Sequence, residues 1–137
     1  TNNPEFYGYP KFSPDGSRIV FQAHIEGSYS FYIMDADGSN PTRLSEVGSS
    51  LDNAYIQFSP DGSRLYYEDS GAIMSMDISG DNIETLAEEG RFPSLSPDGL
   101  KIVYCDGGVD PFFKTRNVFI MNSDGSDKIQ LTDFQPD

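Results

Sequence analysis

The chain of 137 residues has the length of one domain, and its formal charge of −13 at pH 7 opposes unaided binding to nucleic acid or to an anionic membrane, because phosphate groups repel an acidic surface. No apolar run reaches the roughly 18 residues that span a bilayer, and the first residues lack the basic and apolar regions of a signal peptide. The 13 Gly and nine Pro are spread along the chain, and Tyr and Phe are abundant, which favours short strands and tight turns over helices or disorder.

A turn motif occurs three times and predicts a hairpin in each copy. Phe-Ser-Pro-Asp-Gly begins at Phe12 and again at Phe58, and Leu-Ser-Pro-Asp-Gly begins at Leu95. Proline presets φ for a turn and glycine accepts the positive φ that follows, so the chain reverses after each first strand. The next residues, such as those from Ile19 to Phe21, are β-branched and aromatic and predict a second strand that is buried on both faces.

A second turn motif and a closing leucine complete each copy. The second motif ends at Gly38, Gly80 and Gly125, and the three copies end near Leu44, Leu86 and Leu131. The closing leucines lie 42 and 45 residues apart, a period typical of propeller blades. Each copy therefore predicts one blade of four antiparallel strands, with approximate limits 1–45, 46–87 and 88–132 and a tail over 133–137.

Together the two motifs resemble the TolB-like branch of WD-type β-propeller repeats, and the resemblance covers nearly the whole chain. It implies an all-β fold, in a ring of about six blades. Relatives of this kind are usually periplasmic or on the cell surface, and they bind partner proteins or accompany the catalytic domain of an enzyme. Three blades would form half of such a ring. We therefore expect either a piece of a longer propeller or self-association of two half-rings.

The links between copies and the loops between second and third strands are expected on one rim, since the turn motifs occupy the other. These loops differ in length and are predicted over His24–Ser30, Glu68–Gly71 and Asp106–Arg116. Rigid frames commonly carry function on variable loops, so this rim is the predicted contact surface. The candidate partner-binding residues on it are Tyr7, Tyr9, His24, Glu26, Tyr55, Arg91, Phe92, Asp110, Phe112 and Phe113.

Three of these aromatic residues recur at one position of the repeat. Tyr9, Tyr55 and Phe92 precede the predicted first strands and face the expected channel mouth. Aromatic side chains anchor protein and sugar contacts, but a repeated position also serves blade packing. Tyr7 and Arg91 are less repetitive and are therefore the first candidates for recognition.

The sequence predicts no catalytic site and no cofactor. His24 is the single histidine, and the hydrolase and zinc motifs Gly-x-Ser-x-Gly, Cys-x-x-Cys and His-Glu-x-x-His are missing from the sequence. Calcium is disfavoured because, counting from Asp35, Asn40 stands at the sixth position, where an EF-hand loop needs glycine. The single cysteine, Cys105, is expected to be a small core side chain.

These observations predict a non-catalytic scaffold that binds a protein or glycan partner, in the periplasm or outside the cell. One alternative is an accessory propeller of a hydrolase or peptidase whose catalytic domain is not in this sequence. Another is an excised or designed half-propeller without a selected ligand. Nucleic-acid binding and membrane insertion are not expected.

Overall fold

The computed structural model describes residues 6–47, 55–106 and 116–133, which contain twelve β-strands. The first blade consists of β1 (Phe6–Phe12), β2 (Arg18–Ile25), β3 (Ser28–Asp35) and β4 (Thr42–Val47). The second consists of β5 (Ile56–Phe58), β6 (Arg64–Asp69), β7 (Ala72–Asp77) and β8 (Glu84–Ala87). The third consists of β9 (Arg91–Leu95), β10 (Lys101–Cys105), β11 (Val118–Asn122) and β12 (Ile129–Gln130).

Each blade is a separate four-stranded antiparallel meander in which consecutive strands are neighbours. The all-β prediction of three such blades is therefore confirmed. Within the described residues, no helix is long and apolar enough to cross a membrane.

The Ser-Pro-Asp-Gly turns are held by their own side chains. In the first, Asp15 Oδ1 accepts hydrogen bonds from the hydroxyl of Ser13 at 2.7 Å and from the backbone N–H of Ser17 at 2.9 Å. The Ser13 hydroxyl oxygen in turn accepts the N–H of Arg18 at 2.9 Å. These bonds lower the pKa of Asp15 to about 2, and the bond from Ser13 has the largest effect. The same arrangement lowers the pKa of Asp61 to about 2. The turn is thus a local structure that each blade forms for itself.

Two hydrophobic clusters lie between successive blades. The cluster between the first and second blades contains Val20, Phe31, Ile56, Leu65, Tyr67 and Met76. The cluster between the second and third contains Tyr66, Ile73, Leu86, Ala87, Ile102, Tyr104 and Met121. Leu65 and Tyr66 are consecutive on β6 but belong to different clusters, because successive side chains of a strand point to opposite faces. The second blade is therefore buried on both sides.

The hairpin between β2 and β3 is tighter than predicted. Because β2 extends to Ile25 and β3 starts at Ser28, the loop predicted over His24–Ser30 is only Glu26–Gly27. Glu26 and Gly27 both have positive φ, 52° and 80°, as in the two-residue turns whose twist matches that of paired strands. The loop predicted over Glu68–Gly71 is likewise reduced to its last two residues, between β6 and β7.

Candidate functional site

The first strands of the three blades line a groove of about 500 Å³. Its walls are formed by Tyr9, Pro10, Lys11, Tyr55, Ile56, Gln57 and Pro93. Tyr9 and Tyr55 precede Pro10 and Ile56 and keep 42% and 41% of their surface exposed. Two large side chains with polar tips are therefore presented to this groove.

An unusual backbone conformation places two of the aromatic residues. Tyr9 and Phe92 both have φ of 56°, in the left-handed region that is uncommon for bulky side chains. Each is followed by proline, which disfavours the right-handed helical conformation for the residue before it. At Tyr9 the pairing of β1 with β2 also shifts register, between Gly8 and Lys11. A backbone conformation of this kind costs free energy and persists only where the surrounding packing and hydrogen bonds hold it in place.

Gln57 fixes the groove wall by joining β5 to β9. Its Nε2 donates to the carbonyl of Pro93 at 3.1 Å, and its Oε1 accepts the N–H of Leu95 at 3.3 Å. Both bonds cross from the second blade to the third, so the Gln57 side chain hydrogen-bonds backbone groups of β9, the edge strand of the third blade. The relative position of the two strands is thereby set.

Two of the predicted partner-binding residues are in contact. The rings of Tyr55 and Phe92 meet edge to face, with centroids 5.1 Å apart and planes at 89°. The guanidinium carbon of Arg116 lies over the Phe92 ring, 5.0 Å from its centroid. Phe92 is therefore held between an aromatic edge and a cation, an arrangement that also supports Tyr55 at the groove.

Arg91 binds a buried carboxylate that the sequence analysis did not single out. Glu68, with its side chain only 4% exposed, accepts a hydrogen bond from Arg91 Nη1 at 3.1 Å through Oε1. Its Oε2 accepts the backbone N–H of Phe92 at 2.9 Å. Burial raises the pKa of Glu68, against the opposing effects of the Phe92 N–H and the Arg91 and Arg116 cations. The signal in the sequence was a glutamate directly after the apolar run Leu65-Tyr66-Tyr67, where a buried charge requires a partner.

His24 and Glu26 do not line the groove. His24 lies in β2 and stacks on Tyr29 across the hairpin, with ring centroids 4.3 Å apart. Glu26 is exposed at the turn. These two candidates therefore form a separate surface on the first blade.

Four other candidates cannot be assigned to either surface. The backbone of Tyr7 pairs with Ala23. The side chain of Tyr7 and the whole of Asp110, Phe112 and Phe113 lie outside the described residues.

The acidic second turn motif uses its carboxylates internally. Asn40 Nδ2 donates to Asp35 Oδ2 at 2.7 Å, and the hydroxyl of Ser39 donates to Asp37 Oδ1 at 2.6 Å. The Ser39 bonds lower the pKa of Asp37. Across residues 6–47, 55–106 and 116–133, no group of three or more His, Cys, Asp or Glu side chains is arranged to hold a metal ion.

Separate four-stranded meanders, packed face to face with their first strands around a groove, define a β-propeller segment. The chain belongs to the TolB beta propeller domain family, whose profile matches residues 1–137.

Solved structures of TolB are similar to this chain. A putative TolB from Agrobacterium tumefaciens is 26% identical, with a TM-score of 0.74, and the match covers 96% of this chain and 50% of that one. TolB from Acinetobacter baumannii is 25% identical, with a TM-score of 0.69 and coverage of 91% and 32%. This chain thus spans half of the first protein and about a third of the second.

The same fold occurs in an enzyme. An acylaminoacyl peptidase is 20% identical, with a TM-score of 0.65, and the match covers 93% of this chain and 25% of that one. At this identity the likeness shows the fold alone.

Proposed function

We propose that this chain is a non-catalytic propeller scaffold, in the periplasm or outside the cell, that binds a protein or glycan partner on its groove and on the adjoining variable rim. The observation that carries the proposal is the pair of half-exposed tyrosines, Tyr9 and Tyr55, in a groove of about 500 Å³. Tyrosine provides a large amphipathic contact area and loses few rotamers on binding.

The groove is prepared for binding before a partner arrives. Gln57 joins two of its strands, and Phe92 supports Tyr55 from the third blade. A preformed surface avoids the ordering cost that a flexible loop would incur on association. Lys11, exposed in the groove wall, places a positive charge there in a chain with a net charge of −13. An anionic group of the partner is favoured at that point.

The non-catalytic part of the proposal is supported by how the acidic side chains are used. Asp15 and Asp61 bind turn serines, and Glu68 binds Arg91 and a backbone N–H. Each has a structural role, whereas a catalytic acid or base must reach a substrate proton. His24 stacks on a tyrosine beside a hairpin turn and does not line the groove.

The second candidate function is an accessory propeller of a hydrolase or peptidase. It is favoured by one observation, the shared fold with an acylaminoacyl peptidase of which this chain covers 25%. In that case the groove would face a catalytic domain of the same polypeptide, and the partner would be internal.

We also propose that two copies of the chain associate to complete a ring. The support is that outer apolar side chains of the first and third blades, such as Phe12 and Leu131, are exposed. Soluble monomers rarely leave large contiguous apolar surfaces uncovered.

Site-specific photo-cross-linking tests the proposed partner surface. A p-benzoylphenylalanine at Tyr55 is expected to capture a partner from an extract of the source organism, and the same group at Ile83, exposed in the β7–β8 turn, is not. The captured partner is then purified and titrated calorimetrically against the Tyr55→Ser and Ile83→Ser chains. Because aromatic anchors carry much of an interface's energy, Tyr55→Ser is expected to weaken binding at least about 10-fold.

The matched control guards against loss of folding. Both serine variants must unfold cooperatively in urea before their affinities are compared. Equal capture at Tyr55 and Ile83, or a captured partner that binds the Tyr55→Ser chain as tightly as the unmodified chain, would show that the groove is not a recognition surface.

A further inference from the structure

The start of β9 is held on the second blade at three successive residues. The N–H of Gly90 donates to the carbonyl of Gly71, in the β6–β7 turn, at 2.7 Å. The guanidinium of Arg91 and the N–H of Phe92 both donate to the carboxylate of Glu68, at 3.1 Å and 2.9 Å. The entry to the third blade is therefore fixed to its neighbour by hydrogen bonds as well as by apolar packing.

Phe92 needs a partner outside its own sheet because it lies in a β-bulge. The register of β9 against β10 shifts between Val103 and Cys105, so that Phe92 and Pro93 together lie opposite a single residue. A bulge leaves an extra residue unpaired in the ladder, and proline has no N–H to contribute. The carboxylate of Glu68 accepts the N–H of Phe92 and so supplies the bond that the ladder does not.

Glu68 also holds the residue against which Phe92 packs. Its backbone N–H donates to the carbonyl of Tyr55 at 3.2 Å, directly before β5 begins. Glu68 is thus bonded through its main chain to Tyr55 and through its side chain to Phe92, and the rings of these two residues meet edge to face. An edge-to-face contact depends on the position and the angle of both rings.

The fold of a blade does not itself require a carboxylate at this position. The equivalent residue of the first blade is Gln22, which is 3% exposed in the same strand of the same meander. A carboxylate is costly to bury, and the cost is met at Glu68 only because Arg91 and the Phe92 N–H are both in place. The charge therefore distinguishes the second interface from the first, on the side of Tyr55 that faces the third blade.

We infer that Glu68 is the positioning residue of the groove: together with Arg91 it holds Phe92 against Tyr55 and so fixes the orientation in which Tyr55 meets a partner. This inference rests on the partner surface proposed above and adds the residue that prepares it. The Glu68 side chain is 4% exposed and does not line the groove, so it acts through the Tyr55 ring and not by touching the partner.

Fluorine NMR tests the positioning without a partner. A 3-fluorotyrosine is incorporated at Tyr55, and its resonance is compared in the Glu68→Gln and Glu84→Gln chains. Each substitution replaces a carboxylate of the second blade by an amide of the same shape and removes one arginine pair, but Glu84 binds Arg64 and does not line the groove. Glutamine already occupies the equivalent position of the first blade, so the Glu68→Gln chain is expected to fold.

The two variants are expected to differ at the groove. Glu68→Gln should shift the Tyr55 resonance by more than its linewidth. It should also speed exchange of the Phe92 amide hydrogen at least about 10-fold, because hydrogen bonds to a charged acceptor are the stronger ones. Glu84→Gln should leave both signals as they are in the unmodified chain.

A double-mutant cycle tests whether the effect reaches the partner through Tyr55. The partner captured at Tyr55 is titrated against the Glu68→Gln chain, the Tyr55→Ser chain and the chain with both changes. Glu68→Gln alone is expected to weaken binding at least about 5-fold, and less than about 2-fold when Tyr55 is already serine, because residues that act as one unit are not additive. A structural role without positioning would weaken both chains by the same factor.

The outcomes that overturn the inference are distinct. A Tyr55 resonance and a Phe92 exchange rate unchanged by Glu68→Gln refute the positioning, and so do additive losses in the cycle. Phe92→Leu keeps the N–H that Glu68 binds and removes only the ring, so it should also move the Tyr55 resonance. An unmoved resonance in that chain refutes the inference even if Glu68→Gln does not fold.

Failure of the proposed partner surface is recognised separately. Equal capture at Tyr55 and Ile83 removes the groove's role in recognition, and with it the effect of Glu68 on binding. The fluorine spectrum and the exchange rate need no partner, so they still report whether Glu68 orients the ring.

Discussion

The second blade differs from the first and third in what surrounds it, although the three have the same motifs. On β6, Leu65 and Tyr66 point to opposite faces and both are buried. The residue equivalent to Leu65 in the first blade, Ile19, is only partly buried, and the residue equivalent to Tyr66 in the third, Val103, is exposed. The strand and the direction of the side chain are the same in each pair, so the difference lies in the neighbouring blade.

This comparison separates two levels of the structure. The Ser-Pro-Asp-Gly turns are formed within one blade and have the same serine–aspartate hydrogen bond in every copy, and each blade pairs its four strands in the same order. Burial is set between blades, as in other repeat proteins whose stability combines a term for each unit with a term for each interface. Within this sequence the first and third blades each have one interface fewer than the second, so more of their apolar side chains are exposed.

The two interfaces between blades also differ from each other. The position occupied by Glu68 at the second interface is occupied by Gln22 at the first. Glu68 binds Arg91 and the Phe92 N–H, whereas Gln22 Oε1 is buried and, among the described residues, accepts no hydrogen bond. The second interface thus contains an ionic clamp next to the groove, and the first does not.

The largest effect expected from this comparison is at the buried position of β6. Leu65→Ala should lower the free energy of unfolding by about 3 kcal/mol, within the range for a fully buried leucine. The equivalent Ile19→Ala should cost about 1 kcal/mol, because part of that side chain already contacts water. Urea unfolding at several chain concentrations measures both losses and separates any contribution from association. Equal losses would mean that the open face is already covered within one chain.

A smaller effect is expected at the clamp of the second interface. Arg91→Ala leaves the buried Glu68 carboxylate without its ion-pair partner, with only the Arg116 cation nearby, and should lower the free energy of unfolding by about 2 kcal/mol, less than for a fully buried pair because Arg91 is partly exposed. The matched control is Arg43→Ala. Arg43 pairs with Glu46 at the surface and donates one hydrogen bond from Nε to the Ser30 hydroxyl, so its loss should cost about 1 kcal/mol. A loss at Arg91 no greater than that at Arg43 would show that the clamp does not stabilise the interface.

Much of the fold could be predicted from the sequence because the repeat contains local signals. Ser13, Asp15 and Gly16 form a turn with their own side chains and backbone, so their pattern identifies it wherever it occurs. The glycines at second turns were recognised as turn residues, but the close approach of Gly80 to Leu44 depends on the next blade and leaves no separate pattern.

The candidate site was only partly predictable for the same reason. Tyr9 and Tyr55 were found by their repeated position, and both line the groove. Glu68 and Gln57 act between blades, through partners 24 and 38 residues away in the sequence, and no local motif marks such pairs. Arg91 was a candidate because it differs from the residues at the same position in the other two copies. In the structure this arginine forms an ion pair with Glu68.

The smallest effect concerns the turns, which the comparison predicts to behave alike in open and covered blades. Hydrogen bonds from the turn lower the pKa of both Asp15 and Asp61 from 3.8 to about 2. A group whose pKa is lower in the folded chain stabilises it fully above the unfolded pKa, and this contribution is lost as the pH falls through the folded pKa. Asp15→Ala and Asp61→Ala should therefore destabilise the chain most above about pH 4, with a loss that shrinks toward pH 2.

Urea unfolding at pH 6 and pH 2.5 measures the two losses, with the unmodified chain as reference at each pH. Because each aspartate is bound by serines of its own turn, the two substitutions should show the same dependence on pH, although Asp61 lies in the covered blade and Asp15 at the open end. A weaker dependence at Asp15 would mean that an absent neighbour loosens the turn as well as the face. The separation between local turns and shared faces would then fail at the first blade.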